Sequence, residues 1–481
     1  MSRRQQIPRR AKIVCTLGPS SNSYEKIRAM AKAGMDVARL NFSHGTHDDH
    51  DKVFNIIRKI SKELNKPIAI LQDLQGPKIR ILKFREDSVE LKRGDIFILT
   101  TRNVQGNSKI VSVSYKSFYK DVKVNDIVLL DDGLIKLKVE RIKGKDVICK
   151  VIFGGVLSNH KGLNLPGNIL SVSALTEKDK KDLRFGIKKD IDFVALSFVQ
   201  KPEDIREIKK IILRAKKDIP VVAKIEKPQA VESIEEIINE SDVIMVARGD
   251  LGIEVSAEEV PLIQKKIISL CNKRGTPVIT ATQMLESMIH NPRPTRAETS
   301  DVANAIIDGT DAVMLSGETA IGNFPVISVQ TMHRIINLIE KNERSVNWQL
   351  RRRDSDQKYT ISSSIGLSAC HAADLVGASM IVCLTQSGTT ARMISRYRPR
   401  QPLIAVTHTE NTLRRLNLVW GVLPHSVHEF GDNMDEAIIN ILQIIKRKSA
   451  VRKGDKIVMT AGLPFHTRQG TNMLRIEEIT E

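Results

Sequence analysis

Cysteine is scarce in this chain. Only Cys15, Cys149, Cys271, Cys370 and Cys383 occur in 481 residues. Their odd number and scattered spacing exclude a disulfide framework and a cysteine-based zinc site, and fit a reducing compartment. Aromatic residues make up 4% of the chain, a poor supply for stacking bases. No apolar run approaches the roughly 18–20 residues that span a bilayer. The opening "MSRRQQIPRR" is basic, but the apolar run after it is too short for a signal peptide. Glycine and proline are not in excess, which argues against extended disorder. The expectation is a soluble cytoplasmic protein with no membrane partner.

What is abundant is positive charge. Lys and Arg number 75 against 56 Asp and Glu, a net charge of +19. Such a field suits nucleic acid or small anions. The cations are dispersed, with modest clusters at "QLRRRDSD" and "IIKRKSAVRKGDK". With so few aromatics, this favours a solvated surface and small anionic substrates over a nucleic-acid partner. The length implies two to four domains.

Short apolar runs alternate with amphipathic helical segments: "AKIVCTL", "DVARLNF", "PIAILQD", "DFVALSF", "VVAKIE", "DVIMVAR", "PVITAT" and "AVMLSGE". Near-continuous apolarity implies strands buried on both faces of a parallel sheet, and eight such units imply a closed barrel. From about Pro77 to Leu170 helical periodicity gives way to alternation, as in "LIKLKVERI". That interval reads as an all-β insertion placed as a lid over the barrel's C-terminal mouth. After about Asn347, past the charged "QLRRRDSDQK", β/α alternation resumes. The expected fold class is therefore α/β: a (β/α)8 barrel with an inserted all-β lid domain and a C-terminal α/β domain. The expected boundaries are 1–76 and 171–346 for the barrel, 77–170 for the lid and 347–481 for the third region.

Several barrel strands end on polar residues: Arg39, Asn41 and Ser43; Asp73, with Lys78 and Arg80 beyond it; Lys224 and Glu226; Arg248, Gly249 and Asp250; Thr282. Taken singly, Asp73 or Asp250 reads as a helix cap and Arg39 as half of an ion pair. Together they mark a site, because these strand ends meet at one face. Burying Lys224 and Glu226 is costly unless each finds a partner. Glu226 and Asp250 are hard oxygen donors, which favours Mg²⁺ or Mn²⁺ with substrate oxygens completing the shell. Arg39, Arg80 and Lys224 call for phosphate or carboxylate. Phosphoryl transfer uses such an array, and no "GxxxxGK[ST]" loop is present.

The segments "MDVARLNFSHG", "LQDLQGPKIR", "KIEKPQAVESIEEI", "SDVIMVARGDLGIEV" and "ITATQMLESMI" with "PTRAE" closely resemble the pyruvate kinase family. The resemblance runs from about Ala11 to the C-terminus. It implies transfer of the phosphoryl group of phosphoenolpyruvate to ADP, giving pyruvate and ATP. It further implies a β/α barrel with a β lid and a C-terminal effector domain, usually assembled as a homotetramer. Glu226 and Asp250 match the family's divalent-metal ligands. Lys224 matches the lysine that stabilises the moving phosphoryl group, and Arg39 a substrate-binding arginine. Asn41, Arg80 and Lys161 match nucleotide-site residues. Gly249, Asp250 and Thr282 match positions at the substrate, Thr282 beside a proton relay completed by water.

Many family members bind a monovalent cation at the positions of Asn41, Ser43, Asp73 and Leu74, with Thr at the last and Glu where this chain has Lys78. Leu74 removes a hydroxyl ligand and Lys78 offers a tethered ammonium, so the pairing resembles the potassium-independent branch and K⁺ is not expected to be required. In "IVCLTQSGTTARMISRY", Thr385, Ser387, Gly388, Thr389 and Thr390 resemble a cradle for a phosphorylated effector. Arg468 in "GLPFHTRQGTN" offers a second contact, and AMP or a sugar monophosphate fits at least as well as fructose 1,6-bisphosphate. His44 has no evident acid–base role. Cys15 reads as a small core residue. The competing readings are a metal-dependent pyruvate aldolase-type barrel enzyme and a basic nucleic-acid-binding protein.

Overall fold

A computed structural model describes residues 9–168, 173–342, 360–430, 434–448, 451–464 and 470–480. Eight parallel strands close into a barrel in chain order: Lys12–Leu17, Val37–Asn41, Ala69–Asp73, Phe193–Leu196, Val221–Ile225, Val243–Ala247, Val278–Ala281 and Ala312–Leu315. They fall on the eight apolar runs of the sequence. Their residues are almost all buried, which is why the runs show continuous apolarity and little alternation.

The period of two is nonetheless present in space. Val14, Val37, Leu71, Ala195, Val222 and Met245 belong to a small cluster inside the barrel. Their sequence neighbours Cys15, Ala38, Ile70, Val194, Ala223 and Ile244 belong to the larger cluster beneath the surrounding helices. Successive side chains of a strand alternate between faces. Two residues beyond the inward apolar layer therefore stand Thr16, Arg39, Asp73, Ser197 and Lys224, at the C-terminal mouth. The barrel's own geometry builds the polar layer.

Between the third and fourth barrel strands lies the inserted β structure. It comprises a six-stranded sheet and a two-stranded sheet around its own core, including Phe97, Phe118, Val128, Leu137 and Val151. The alternation of "LIKLKVERI" is realised: Ile135, Leu137 and Val139 are buried, while Lys138 and Glu140 are exposed. Among the described residues of the insertion, one short helix, Phe118–Asp121, interrupts the otherwise all-β chain. At the entry hinge Gly76 has φ +68°, and a Cβ there would lie 2.8 Å from the Phe198 ring and 3.0 Å from Ser197 Cβ. Only glycine fits such a backbone at such an approach. The Gly76 N–H donates to Asp179 Oδ1 at 3.2 Å, in the helix Glu177–Lys188 that follows the insertion. That helix begins in a capping box of Thr176 and Asp179.

The C-terminal region forms a five-stranded sheet, four strands parallel and Met473–Glu478 antiparallel at one edge. It docks at the barrel's N-terminal side. Arg398, 2% exposed, pairs with Asp311 at 2.9 Å, just before the eighth barrel strand. Arg414 pairs at 2.6 Å with Asp192, just before the fourth. Leu418 joins the cluster inside the barrel. The charged segment "QLRRRDSDQK" and Arg468 lie outside the described residues.

Candidate active site

The inward polar layer is one bonded network. Arg39 Nε donates to Asp73 Oδ2 at 2.6 Å and its Nη1 to Thr16 Oγ1 at 2.8 Å. Lys224 Nζ stands 2.8 Å from Glu226 Oε1 and 3.3 Å from Asp73 Oδ1. It also donates to Ser197 Oγ at 2.7 Å, and that hydroxyl donates to the Leu74 carbonyl at 2.8 Å. Asp73 and Glu226 are each 1% exposed, and Lys224 9%. The lysine and glutamate that end the fifth strand are thus partnered by each other and by the third and fourth strands.

Electrostatics follow from this packing. Burial works to neutralise Lys224, but Asp73 and Glu226 outweigh it and raise its pKa above the ordinary lysine value. Burial likewise opposes the Asp73 carboxylate, yet Lys224 and Arg39 hold its pKa below the usual range. Glu226 goes the other way. Burial raises its pKa, the Lys224 ammonium opposes this, and the nearby Asp250 charge pushes it up further. A buried carboxylate whose pKa is raised in part by a half-buried carboxylate nearby favours an added cation. Among the described residues, no group of three or more His, Cys, Asp or Glu side chains is placed to hold a metal. Two carboxylates alone, Glu226 and Asp250, would leave most of a hard divalent ion's shell to other oxygens.

The backbone around these groups is strained where it serves them. Phe198 has φ +56°, and its N–H donates to Glu226 Oε2 at 2.8 Å. Thr282 and Gln283 have φ of +68° and +55°, costly for a β-branched residue. The Thr282 hydroxyl accepts from the Gly249 N–H at 2.7 Å and donates to the Ala281 carbonyl at 2.6 Å. Arg248 is committed to protein partners. It pairs with Asp301 at 2.7 Å and donates to the Thr282 carbonyl at 2.8 Å, so it holds the Thr282 turn.

The remaining expected residues divide between barrel and lid. Asn41 Oδ1 accepts from the Ser43 N–H at 3.1 Å. Arg80 Nη1 donates to the His160 carbonyl at 2.9 Å, beside Lys161, whose Nζ is 2.8 Å from Asp131 Oδ1. Arg80 and Lys161 are thereby brought together on the lid, with Asn41 on the barrel. Lys78 makes no hydrogen bond or ion pair to Asn41, Ser43 or Asp73 among the described residues. It lines a small cavity with Phe198, Lys227 and Asp250, and its Cε lies near Gly162 of the lid. His44 is exposed and its carbonyl accepts from His50 Nε2 at 2.9 Å. Cys15 is buried in the barrel wall, where burial pushes its thiol pKa up, away from nucleophile chemistry.

Residues 8–329 match the family description "Pyruvate kinase, barrel domain", and residues 363–477 match "Pyruvate kinase, alpha/beta domain". The chain belongs to the pyruvate kinase family. It is 47% identical over 479 residues to pyruvate kinase 2 of Synechocystis sp., covering 98% of this chain and 80% of that one. It is 46% identical over 472 residues to pyruvate kinase of Clostridium acetobutylicum, covering 98% and 99%. A solved pyruvate kinase structure from Cryptosporidium parvum superposes with a TM-score of 0.92 at 37% identity, over 98% of this chain and 96% of that one. The aldolase-type and nucleic-acid readings are not favoured by these matches.

Thr16 and Ser197 are absent from the residues picked out by sequence, although both bond the network. Counting two residues past the inward apolar positions finds them. Ser197→Ala removes one of the three partners of a buried ammonium, and is expected to lower kcat about tenfold. Steady-state kinetics with circular dichroism checks this, and an unchanged kcat would show the hydroxyl to be a bystander.

Proposed function

We propose that this pyruvate kinase transfers the phosphoryl group of phosphoenolpyruvate to ADP at the polar mouth of the barrel, giving pyruvate and ATP. The observation that carries this reading is the position of Lys224, a charged ammonium held inside the protein between Asp73, Glu226 and Ser197. Its raised pKa keeps it cationic through the physiological range, so it serves as fixed positive charge and not as a base. Charge spreading over the equatorial oxygens of a moving phosphoryl group is stabilised by such a preorganised cation. Arg39, oriented by Asp73 and Thr16, supplies a second cation for the phosphate. Asp250 and the Gly249–Thr282 turn form the substrate's other wall. The family generally uses Mg²⁺; Glu226 and Asp250 would hold it, and it would neutralise charge on the substrate oxygens. The Thr282 proton is committed to the Ala281 carbonyl, so delivery to the enolate carbon calls for a water beside it. Asn41, Arg80 and Lys161 face the nucleotide from barrel and lid.

Two finer readings accompany this. First, the enzyme works without K⁺. Both Asp73 oxygens are already paired, to Arg39 and Lys224. Leu74 is buried and its carbonyl is taken by Ser197. An ion there would have to compete with two cations for Asp73 and with the Ser197 hydroxyl for the Leu74 carbonyl. Second, a phosphorylated effector such as AMP or a sugar monophosphate binds the C-terminal region. A cavity of about 850 Å³ is lined by Thr385, Ser387, Thr389 and Thr390, with Lys216 and Lys217 from the barrel. The Gly388 N–H meets Thr385 Oγ1 at 2.9 Å, and Ser387 and Thr389 hydroxyls lie 2.9 Å apart. The family's homotetramer is the assembly this reading assumes, and sedimentation would measure its mass.

Pyruvate formation from phosphoenolpyruvate and ADP with Mg²⁺ tests the main reading. Lys224→Met should cut kcat by about 10²–10³-fold with the KM for phosphoenolpyruvate changed only a few-fold; equal kcat would remove Lys224 from the mechanism. Added KCl should leave the rate in K⁺- and Na⁺-free buffer within about twofold, and a strong dependence would refute the potassium-independent reading. AMP or a sugar monophosphate should lower the half-saturating phosphoenolpyruvate concentration. Thr389→Val should abolish that effect and spare the unstimulated rate; activation retained in the variant would place the effector elsewhere.

A further inference from the structure

Glu226 stands just past the fifth barrel strand, and Asp250 in the first turn of the helix Arg248–Glu254. A metal shared between them requires that these two segments keep a fixed spacing. One residue beyond Glu226, Lys227 reaches to the far end of that helix: its Nζ lies 2.6 Å from Glu254 Oε1. The pair is interior, with Lys227 4% and Glu254 7% exposed. It therefore cross-ties the segments that carry the two carboxylates. The lid joins at the same oxygen. Asn164, in the last lid strand Leu163–Asn164, donates its Nδ2 to Glu254 Oε1 at 3.0 Å.

Two further observations connect this cluster to the site. Lys227 Nζ stands 5.8 Å over the ring of Phe198, whose N–H holds Glu226. Asn164, Phe198, Lys227 and Asp250 also line one small cavity at the lid seam. The pair is not an economical piece of architecture. Glu254 Oε2 is buried without a hydrogen-bond partner, and a buried ion pair with an unsatisfied oxygen is a weak contributor to stability compared with apolar side chains of similar size. Its geometry favours a role in positioning.

We propose that the Lys227–Glu254 pair, with Asn164 as its lid-side member, is a latch that sets the spacing of Glu226 and Asp250 and couples metal binding to seating of the lid. The three are positioning residues, acting through Glu226 and Asp250. The proposal rests on the reading of those two carboxylates as metal ligands, so the test separates the two claims. Coupling between sites is reciprocal: if the latch sets metal affinity through lid contact, metal must also quiet the lid.

Mn²⁺ is the probe, with binding to the nucleotide-free, full-length enzyme read by electron paramagnetic resonance and lid opening by deuterium exchange over residues 88–158. Glu226→Gln should lose tight Mn²⁺ binding; if it does not, the ligand reading fails, whatever the latch does. In the wild type, Mn²⁺ should slow exchange in the lid. The double variant Lys227→Met with Glu254→Leu leaves no unpaired charge behind, and should weaken Mn²⁺ binding about tenfold. At saturating Mn²⁺ its lid should no longer be slowed, whereas the single variant Lys227→Arg, with Glu254 in place, should retain much of both the affinity and the slowing. Asn164→Ala removes one uncharged donor to the Glu254 carboxylate and keeps the ion pair. It should likewise uncouple lid exchange from Mn²⁺, which preserves the test should the double variant fail to fold. Unchanged Mn²⁺ affinity in the double variant, or lid slowing equal to wild type in both variants, overturns the latch.

Discussion

An ammonium inside a protein is a problem that the surrounding structure must solve, and here most of the molecule can be understood from that solution. Lys224 sits where taking a charge out of water costs several kcal/mol. It is tolerated because the third strand brings Asp73, the fourth brings Ser197 and the fifth brings Glu226 within reach. Those contacts require strands that are neighbours in register: Ala195 opposite Asp73 and Leu196 opposite Ala223. Arg39 completes the balance from the second strand. The barrel is thus the device that brings residues from distant stretches of chain to a single charged layer.

The other two regions attach at opposite ends of the same strands. The lid departs through Gly76, whose missing side chain lets the hinge lie on Ser197 and Phe198, the residues that hold Lys224 and Glu226. The C-terminal region grips the strand beginnings through Arg398 on Asp311 and Arg414 on Asp192. Asp192 also accepts the Ile70 N–H at 2.7 Å, so one carboxylate joins the third strand, the fourth strand and the C-terminal region. Events at either end of the barrel are in mechanical contact with the strands that carry the chemistry.

Much of this was legible in the sequence. Eight apolar runs marked the barrel, and the loss of helical periodicity marked the lid, because both signals come from local burial. Polar residues at strand ends marked the mouth for the same reason. What escaped was whatever depends on the face a side chain takes within the barrel. Thr16 and Ser197 look like ordinary small residues until the inward alternation is counted, and Arg248 looks like a site cation until Asp301, fifty-three residues away, is seen to claim it. Lys78 illustrates the limit further. Its sequence context points to Asn41, Ser43 and Asp73; among the described residues it bonds none of them, and it lies by Gly162 and lines a cavity with Asp250. Left-handed backbone at Phe198 and Thr282 leaves no mark in residue type at all.

The central claim is that Glu226, Asp250 and Lys224 surround one divalent ion and one phosphoryl group. A crystal structure of the enzyme grown with Mn²⁺ and a non-transferable phosphoenolpyruvate analogue, with anomalous scattering recorded at the manganese edge, addresses it directly. The account predicts a manganese peak bonded to both carboxylates, with the analogue's phosphoryl oxygens against the Lys224 ammonium. A peak away from Glu226 and Asp250, or an analogue bound out of reach of Lys224, would contradict it.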